Sequence, residues 1–579
     1  MLRDISLAKD AQTWAIPPSA PSAILSNADI ADRLASLAQL LSAQKENPYK
    51  VKAYQRAAAK VRTLSESIDE LVRSDSDLTQ YAGIGGAISS AIREIVLTGT
   101  LGKLEKLRSD VSPEIAAISA YPRLDPKRVL RIYKKLNIST VEALRNHLEN
   151  GDIEKQLGSR IAQHIRQGLT ETHAILLYRA DDLREVVEDF LIERCRVKKA
   201  EAVGDYRRRV EVIEELNFIV ETDDFPALVW KLERYGGRTP LVTSSDDEAV
   251  FALSSGILLR IERARKSTWG LSLVECTGSK AHLRKLTSAT GDLKSLKMLG
   301  PFPSEEALYE KFGLAFIEPE LREGHDEVQR SLQGTLPVLV TVNDIRGELH
   351  AHSTSSDGAH SIEQMAAAAK KKGYDYIGIT DHSQSLKIAG GVPAEDLWKQ
   401  IRLIDKLNER GRGIRILKSA EVDILPDGAL DYPDELLRQL DYTVCSIHSR
   451  FALGKAAQTE RILRAMDNRY LNILGHATGR LLLKRPGYEI DIERVIEHAR
   501  QAGCFFEINS SPDRLDLSAE NARRAAASGI KIAVSTDAHS TYEFDLIRYG
   551  IDQARRAGLE KSDVLNCLHW VRLQRLFRR

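Results

Sequence analysis

The stretch Gly347-Glu348-Leu349-His350-Ala351-His352, followed by Ser353-Thr354-Ser355-Ser356-Asp357-Gly358, decides how the C-terminal part of this chain is interpreted. An apolar segment, Val338-Leu339-Val340, lies a few residues before it. Residues i and i+2 of an extended segment share a face, so His350 and His352 can bind one ion, and Asp357 in the following loop could join them. A His-x-His pair alone does not establish a metal site, so the prediction depends on the later sequence.

Five later segments repeat this pattern of apolar residues followed by histidine or carboxylate residues. Two of them end in Asp-His or Asp-x-His, and each precedes a loop. Side chains at the strand ends of an α/β barrel gather on one side of the barrel, and imidazole with carboxylate suits Mn, Zn or Fe. The segments are 376–382, 419–423, 442–448, 473–476 and 532–539.

The remaining histidines and acids of this region have simpler interpretations. His360, His498 and His569 lie outside the segments and are expected to be solvated or to pack against neighbours. Asp381 precedes His382 in a strand and should face the other way, so we expect it to support the site rather than bind metal. Asp423 shares a face with the acid at position 421 and could do either.

Together the segments resemble the PHP phosphoesterase domain (polymerase and histidinol phosphatase) over about the last 240 residues. The alternation of strands and helices, with helical periodicity at 362–372 and 397–408, agrees with the parallel barrel that this resemblance implies. The resemblance implies a distorted barrel and three metal ions. It implies one ion bound by His350, His352, Glu421 and Asp537, a second bound by Glu421, His448 and His476, and a third bound by Asp357, His382 and His539. These nine residues are the predicted metal ligands and catalytic residues.

Composition limits the classes of protein that the chain could be. Its 579 residues are 43% hydrophobic and 28% charged, which predicts a protein of about four domains with sizeable cores. The formal net charge of +1 means that any nucleic-acid surface must be local. Five cysteines without CxxC spacing indicate a reducing compartment, and no apolar run reaches the roughly 18 residues that span a bilayer. We therefore expect a cytoplasmic protein with no membrane partner.

The N-terminal third predicts a helical DNA-binding domain after a flexible leader. Helical periodicity begins at Asn27 or Asp29, and a basic helix begins at Asn47. Gly83-Ile84-Gly85-Gly86 then stands between two helical stretches, where backbone N–H groups at a helix N-terminus favour phosphate oxygens. The block 47–107 resembles the helix-hairpin-helix domain of bacterial family X DNA polymerases.

That resemblance adds two expectations about the N-terminal third. A second, poorer hairpin at 124–129 would place Lys127 and Arg128 against DNA, although Asp125 stands where glycine is expected. Lyase-active relatives carry a Schiff-base lysine at the position that Ala91 occupies here. Without an amine no imine can form, so deoxyribose-phosphate lyase activity is not expected.

The middle of the chain resembles the palm of the same polymerases, but its nucleotide site is degenerate. Asp205 replaces the serine of the Gly-Ser-x-Arg-Arg element, which puts negative charge where phosphate should bind. Asn217 cannot supply an anionic oxygen for magnesium, and Glu215 is one methylene longer than the family's aspartate. The degenerate nucleotide site comprises Gly204, Arg207, Arg208, Glu215, Asn217 and Glu262.

These resemblances together give a multidomain α/β architecture. It has a helical helix-hairpin-helix domain, a polymerase-beta-like α+β palm and a C-terminal PHP distorted α/β barrel. The predicted boundaries are 1–26 for the leader, 27–110 for the helix-hairpin-helix domain, 111–170 for a fingers-like helical region, 171–317 for palm and thumb, 318–340 for a linker and 341–579 for the PHP domain.

The function that the resemblance implies is DNA repair. The PHP domain would hydrolyse DNA phosphoester bonds as a 3′-5′ exonuclease or a 3′-end or abasic-site processing enzyme, on gapped, nicked or single-stranded DNA ends. The expected cofactor is a set of three divalent ions, manganese first, with zinc or iron as alternatives. Three alternatives stay open: a DNA polymerase that fills short gaps with magnesium, a non-catalytic scaffold that binds DNA ends, and a phosphatase of small esters.

Overall fold

The computed structural model divides the chain into two compact units, Met1–Thr170 with Trp230–Pro240, and Glu171–Val229 with Leu241–Arg579. Their helices and strands follow from the sequence patterns above, and each unit is described separately. The residues that the structure describes are 25, 27–43, 48–64, 66–81, 83–98, 101–103, 132, 135–136, 143–144, 147–148, 150–158, 161–162, 174–235, 239, 241–253, 257–291, 301–411 and 413–578.

The first unit begins with a helical domain. Its helix α1 begins at Asn27, one of the two predicted starts. The buried Asn27 side chain donates to the carbonyls of Leu64 and Glu66 and accepts from the backbone N–H of Ile68 at 2.8 Å, which joins the start of α1 to the segment 64–68. Apolar residues spaced along α1 and α2 form a common core with those of α3 and α4. The helices are α1 (Asn27–Ala43), α2 (Pro48–Thr63), α3 (Ile68–Arg73), α4 (Gly86–Thr98) and α5 (Asp152–Leu157).

Several sequence predictions fall partly or wholly outside the described residues, among them most of the predicted fingers-like region at 111–170. The second hairpin at 124–129, with Lys127 and Arg128, lies outside them, and so does nearly all of the predicted leader at 1–26. The position of the absent lysine is described: Ala91 is buried in α4.

The palm region of the second unit contains a five-stranded mixed sheet in the order β2-β4-β7-β6-β5. Strand β4 pairs in parallel with β7 and antiparallel with β2, which is the combination of an α+β layer rather than a doubly wound fold. A short antiparallel pair, β1 with β3, stands beside it. The strands are β1 (Ile175–Leu176), β2 (Lys199–Val203), β3 (Val212–Ile213), β4 (Glu215–Glu221), β5 (Leu241–Ser244), β6 (Glu248–Ala252) and β7 (Leu258–Arg263).

Helices alternate with these strands along the chain, and further helices follow them up to the C-terminal domain. Ser279 caps α10 by accepting a hydrogen bond from the backbone N–H of His282, so the segment 277–280 is a helix junction. The helices are α6 (Leu177–Asp189), α7 (Gly204–Arg207), α8 (Phe225–Leu232), α9 (Trp269–Thr277), α10 (Lys280–Thr290), α11 (Glu305–Lys311) and α12 (Glu327–Gln333).

The C-terminal strands form two parallel sheets, in the orders β10-β9-β8 and β11-β12-β13-β14-β15. Isolated parallel bridges join Ala351 to Ala538 and His382 to Glu421, so the two sheets meet at both edges as a distorted barrel. The strands are β8 (Gly347–Glu348), β9 (Tyr376–Ile379), β10 (Arg415–Lys418), β11 (Glu421–Asp423), β12 (Val444–Ser446), β13 (Ile473–Leu474), β14 (Phe505–Asn509) and β15 (Ile532–Ser535).

Helices alternate with these strands as the sequence pattern predicts. Ser361 and Gln364 form a reciprocal capping box at the start of α13, which fixes the chain direction after the first metal-site loop. The helices are α13 (Ile362–Lys371), α14 (Ala394–Glu409), α15 (Asp434–Leu437), α16 (Lys455–Met466), α17 (Ile492–Ala502), α18 (Ala519–Ala527), α19 (Ile547–Arg556) and α20 (Trp570–Phe577).

The last helix packs against the barrel strands. Phe577 stacks on Tyr442 with 4.9 Å between ring centroids, within an apolar cluster that also includes Leu573 of α20. The Tyr442 hydroxyl donates to the Leu349 carbonyl at 2.6 Å and passes over Gly378, where a Cβ atom would lie 1.7 Å from it. Glycine at 378 therefore allows the contact that holds the strand before the His-x-His pair.

No helix within the described residues is long and apolar enough to cross a membrane. The five cysteines, all described, form no disulfide. The predicted boundaries between palm, linker and PHP domain stay predictions, because these regions belong to one compact unit.

A half-buried acid on α6 predicts how stability depends on pH. Its partial burial and, after it, the charge of Asp181 raise the pKa of Asp182 to about 7, against the opposing charges of Arg548 and Arg179. The carboxyl therefore holds its proton more tightly in the folded state, and its contribution to stability is present in acid and lost as pH rises through about 7. We expect Asp182→Asn to raise the unfolding temperature relative to the unsubstituted chain more at about pH 8 than at about pH 5.

Thermal unfolding monitored by circular dichroism across that range tests this prediction. Asp189→Asn, at an exposed position on the same helix, is the control and should show no such trend. A difference in unfolding temperature between Asp182→Asn and the unsubstituted chain that stays constant with pH would contradict the prediction.

Candidate metal centre

The nine predicted ligands lie at the ends of parallel barrel strands. His350 and His352 follow β8, Asp537 and His539 follow β15, and Glu421 begins β11 after the chain leaves β10. Carboxyl ends of parallel strands gather at one edge, which is why residues distant in sequence meet here. The remaining ligands follow the same rule, with His382 after β9, His448 after β12, His476 after β13 and Asp357 in the loop after His352.

Glu421 is the carboxylate around which the histidines are arranged. Its side chain is 1% exposed, and its Oε1 lies 3.0 Å from His476 Nε2 and 3.3 Å from His448 Nε2. Its Oε2 lies 2.7 Å from His382 Nδ1 and 3.5 Å from His350 Nε2. One carboxylate thus presents an oxygen to each of two groups of imidazoles, which is the arrangement of a bridging ligand.

The first predicted ligand set is brought together completely. Ligand atoms of His350, His352, Glu421 and Asp537 all lie within 4.8 Å of one another. Asp537 Oδ1 is 2.9 Å from His352 Nε2 and 3.4 Å from His350 Nε2. Two imidazoles and two carboxylates within that distance can surround a single divalent ion.

The third predicted set is also assembled, with one additional residue. Asp357, His382 and His539 lie in one group, and His352 joins them. Asp357 Oδ1 is 3.4 Å from His539 Nε2 and 3.8 Å from His352 Nδ1. His352 therefore faces the first group with Nε2 and the third with Nδ1.

The second predicted set differs in one member. The compact group contains Glu421 and His448 together with His382, rather than His476. His476 nevertheless reaches the same carboxylate oxygen as His448. Which of these histidines binds a second ion stays a prediction.

Several buried polar atoms of the site fit a metal because no hydrogen bond satisfies them. His350 Nε2, His382 Nδ1 and Glu421 Oε2 are buried without a hydrogen-bond partner. His382 Nδ1 and Glu421 Oε2 are close, yet they are not aligned as donor and acceptor. Unpaired buried polar atoms are costly, and a cation at the point where nitrogen and carboxylate oxygen atoms converge would satisfy them.

The charges of the site agree with this fit. Burial opposes ionisation of Glu421 and Asp537, but the surrounding histidines hold the pKa of both carboxyls well below the usual range. Burial and the neighbouring His539 lower the pKa of His352 to about 4. Against the effect of burial, nearby carboxylates raise the pKa of His448 and of His539 to about 10. Histidine binds metal as the neutral imidazole, so an ion entering the site would displace the protons of these two side chains.

Backbone strain coincides with two predicted ligands. Asp537 has a φ of 54° and His476 a φ of 26°, both in the left-handed region that residues with a Cβ rarely adopt. Such conformations are typical of functional sites, where the surrounding structure compensates for their cost.

Sequence reasoning missed two buried carboxylates that hold His350. Glu507 Oε1 lies 2.7 Å from His350 Nδ1, and its Oε2 accepts the backbone N–H of His476 at 2.8 Å. Glu348 accepts the backbone N–H groups of His350 and Thr536. Glu507 lies within an apolar strand, Phe505-Phe506-Glu507-Ile508-Asn509, and an acid in such a strand was the signal that could have found it.

The two undecided acids support ligands. Asp423 Oδ1 lies 2.5 Å from His448 Nδ1, and its Oδ2 accepts from the hydroxyl of Ser385, so it orients a histidine. Asp381 accepts hydrogen bonds from the backbone and hydroxyl of Ser353 at 2.7 Å each. It therefore anchors the loop that carries Asp357.

The histidines outside the motifs are placed away from the three groups. His498 pairs with Asp467 at the surface, and His569 is largely exposed. His360 accepts the backbone N–H of Thr541.

The arginines that were predicted to belong to a degenerate nucleotide site pair with acids of the protein. Arg207 donates to Glu305 at 2.7 and 2.9 Å, and Arg208 pairs with both Asp205 and Glu323. The arginines of the nucleotide element are thus engaged in ion pairs within the protein.

The acidic positions of the palm are equally changed. Glu215 lies 3.0 Å from Arg260, and Glu262 accepts the thiol of Cys276. Asn217 Oδ1 is buried without a hydrogen-bond partner. The Asn217 side chain packs near Gly204, where a Cβ atom would lie 2.9 Å from its Nδ2.

In the first unit, the glycine turn precedes a helix N-terminus as predicted. Gly83 has a φ of 89°, which favours glycine, and Gly85 and Gly86 are exposed where α4 begins. The turn therefore leaves backbone N–H groups accessible at the positive end of a 13-residue helix.

Comparison with known proteins agrees with both regions. The model of the helix-hairpin-helix domain matches residues 25–101, and that of the PHP domain matches residues 348–511. The DNA polymerase/3′-5′ exonuclease PolX of Bacillus subtilis (strain 168) is 33% identical over 563 residues, which cover 93% of this chain and 97% of that protein. The chain belongs to the PolX family.

Other relatives match the C-terminal part alone. A probable phosphatase of Thermoanaerobacter sp. (strain X514) is 34% identical over 230 residues, which cover 38% of the present chain and 89% of that protein. A probable phosphatase of Acetivibrio thermocellus is 29% identical over 205 residues, or 34% of the chain and 80% of that protein. The C-terminal barrel therefore also occurs as nearly the whole of a separate protein.

These findings confirm the predicted family and multidomain fold. They also support a metal-dependent phosphoesterase, because the PHP domain contains the assembled His, Asp and Glu groups. The assignment of each ligand to an ion stays a prediction for this PolX chain.

Glu507 gives a direct test of the metal centre. We expect Glu507→Gln to weaken manganese binding about tenfold, because a neutral amide orients His350 less firmly and no longer increases its basicity. Isothermal titration of the metal-free protein with Mn²⁺ measures this. Glu497→Gln, at an exposed position on α17 paired with Arg500, is the matched control. Equal affinities for the two variants would contradict the assignment.

Proposed function

We propose that the PHP domain of this chain hydrolyses phosphoester bonds in DNA. The observation that carries the proposal is the complete set of nine ligand residues gathered around Glu421. The Bacillus subtilis relative, which matches nearly end to end, is named a 3′-5′ exonuclease. We propose the same activity here, as a 3′-5′ exonuclease or in processing 3′ ends and abasic sites during repair.

We propose manganese as the principal metal, with zinc or iron as alternatives, and three ions in the site. The first would be held by His350, His352, Glu421 and Asp537, and the others by the groups around His448 and Asp357. This mixed imidazole and carboxylate set suits all three metals. Ions bound there would neutralise phosphate oxygens and activate water for attack on phosphorus.

Different residues of the chain have different roles in this proposal. Glu421 and Asp537 supply ionised oxygens at neutral pH, to which a cation can bind. Glu507 and Asp423 hold His350 and His448 in fixed orientations through Nδ1, which leaves Nε2 directed toward Glu421. We assign no separate side chain as general base.

We propose DNA as the macromolecular partner, bound in part by the first unit. Its support is the helix-hairpin-helix match and the accessible turn at Gly83, Gly85 and Gly86. Backbone N–H groups at a helix N-terminus hold phosphate without reading base sequence. Binding that does not depend on base sequence suits gapped, nicked or single-stranded DNA ends, whose sequences vary. Protein partners are left open.

The palm would then hold DNA rather than synthesise it. Two-metal phosphoryl transfer needs carboxylates at set distances, and Asn217 supplies none. Glu215 is paired with Arg260, and Asp205 with Arg208. The printed name of the Bacillus relative also includes DNA polymerase, so short-gap filling with magnesium is the second candidate function.

The first experiment uses an end-labelled primer annealed to a gapped template, with manganese, with and without deoxynucleotides. We expect the primer to be shortened by the unsubstituted protein and not by His350→Ala/His352→Ala, because the first group then loses two of its four ligands. His498→Ala, at the surface and outside the three groups, is the control and should shorten the primer normally. A primer of unchanged length with DNA still bound would favour the scaffold instead.

A second experiment separates nuclease from polymerase. In the His350→Ala/His352→Ala background we expect no primer extension with magnesium and deoxynucleotides, because the palm lacks an anionic oxygen at 217. Asn217→Asp restores that oxygen and should raise extension if the residual palm site can hold magnesium. Robust extension with asparagine at 217 would overturn the proposal for the palm.

A further inference from the structure

An ion pair joins the palm region to the PHP domain within the second compact unit. Glu211, immediately before β3, accepts from the guanidinium of Arg480 with both oxygens, Oε1 lying 3.1 Å from Nη1. The two side chains are 18% and 17% exposed, so the pair is largely sheltered from water. A sheltered two-point ion pair fixes the guanidinium in one orientation.

The same guanidinium also holds a loop of the PHP domain. Arg480 Nε donates to the carbonyl of Arg514 at 3.0 Å, and Nη2 donates to the carbonyl of Leu515. These carbonyls belong to the loop 511–517, which follows β14. One side chain thus connects Glu211 to this loop, and the orientation of Arg480 that Glu211 fixes is the one in which it meets both carbonyls.

The loop is in turn connected to the metal centre. The backbone N–H of Asn509 donates to the Asp516 carbonyl at 2.7 Å, and Asn509 Nδ2 donates to Asp537 Oδ2 at 3.0 Å. Arg514 Nε lies 4.0 Å from the same Asp537 oxygen. Arg514 within the loop and Asn509 at the end of β14, to which Asp516 of the loop is bonded, therefore both approach Asp537, whose φ of 54° makes its position depend on its surroundings.

Glu211 is itself held firmly. Its carbonyl accepts the backbone N–H of Leu177 at 3.1 Å. Two residues earlier, Arg209 pairs with Asp181 and with Asp552 of α19, and the Arg209 carbonyl accepts from Gln553 at 3.1 Å. The carboxylate that orients Arg480 thus stands on a backbone fixed against both regions.

We propose that Glu211 is a positioning residue of the phosphoesterase: acting through Arg480, it sets the loop 511–517 and with it Asp537. The inference rests on the proposed function for its effect on hydrolysis, but not for its effect on the loop. Removing the carboxylate leaves a sheltered guanidinium without its partner, which favours a new orientation of Arg480 and releases the two carbonyls.

The test uses three variants, which are Glu211→Ala, Arg480→Ala and the double variant Glu211→Ala/Arg480→Ala. The control variant is Glu320→Ala. Glu320 is a matched control, because it also pairs with an arginine, Arg555 of α19, at 2.6 Å. Arg555 donates to the carbonyl of Val340, which lies outside the loop 511–517. Hydrogen exchange of the amides of 511–517 is measured first, on full-length protein without DNA. We expect faster exchange in Glu211→Ala and not in Glu320→Ala.

Primer shortening with manganese is measured second. We expect Glu211→Ala to lower kcat about tenfold, as loss of a residue that orients a metal-binding site does, with KM for DNA nearly unchanged. In the Arg480→Ala background the same substitution should change kcat less than about twofold, because the connection is already broken. Glu211→Gln, which can still accept from Arg480, should retain most of the activity.

Each outcome decides the proposal. Unchanged exchange in 511–517, or equal effects of Glu211→Ala in both backgrounds, would overturn it. If the unsubstituted protein does not shorten DNA, the proposed function fails, but faster exchange in Glu211→Ala would still establish the positioning of the loop. Faster exchange in Glu320→Ala as well would show general loosening and overturn the assignment to Glu211.

Discussion

The C-terminal domain depends on one buried carboxylate. Glu421 is almost completely excluded from water, so its ionised form must be balanced by partners, and five imidazoles lie within 3.7 Å of its two oxygens. These histidines come from four different strand ends, and β11, which begins with Glu421, bridges both sheets of the barrel. The barrel therefore closes around the buried charge that the metal centre must compensate.

Much of this could be predicted from the sequence because strand geometry is regular. Alternation along a strand places His350 and His352 on one face, and parallel strands direct their carboxyl ends to one edge. The start of α1 at Asn27 was equally accessible, since it was one of the two starts that helical periodicity indicated. These predictions needed only local periodicity and one general rule about where barrel strands end.

The rest could not be predicted because it depends on contacts between distant residues. Nothing local shows that His352 faces two groups, or that His382 rather than His476 stands in the compact group with His448. Glu507 looks like a stray charge in an apolar strand until His350 is found beside it, 157 residues away in sequence. Glu211 and Arg480 are 269 residues apart, and two charged residues at that separation carry no signal of pairing.

The charged residues of the predicted nucleotide element in the palm form a consistent set of ion pairs. An aspartate at 205 would repel a triphosphate, and in the structure it pairs with Arg208. Arg207 is likewise compensated by Glu305, and Arg209 by Asp181 and Asp552. A cluster of arginines without an anion is costly in a partly buried position, and these internal acids remove that cost. Because Asp552 belongs to α19, the pair that it forms with Arg209 also fixes this run of residues to the barrel domain.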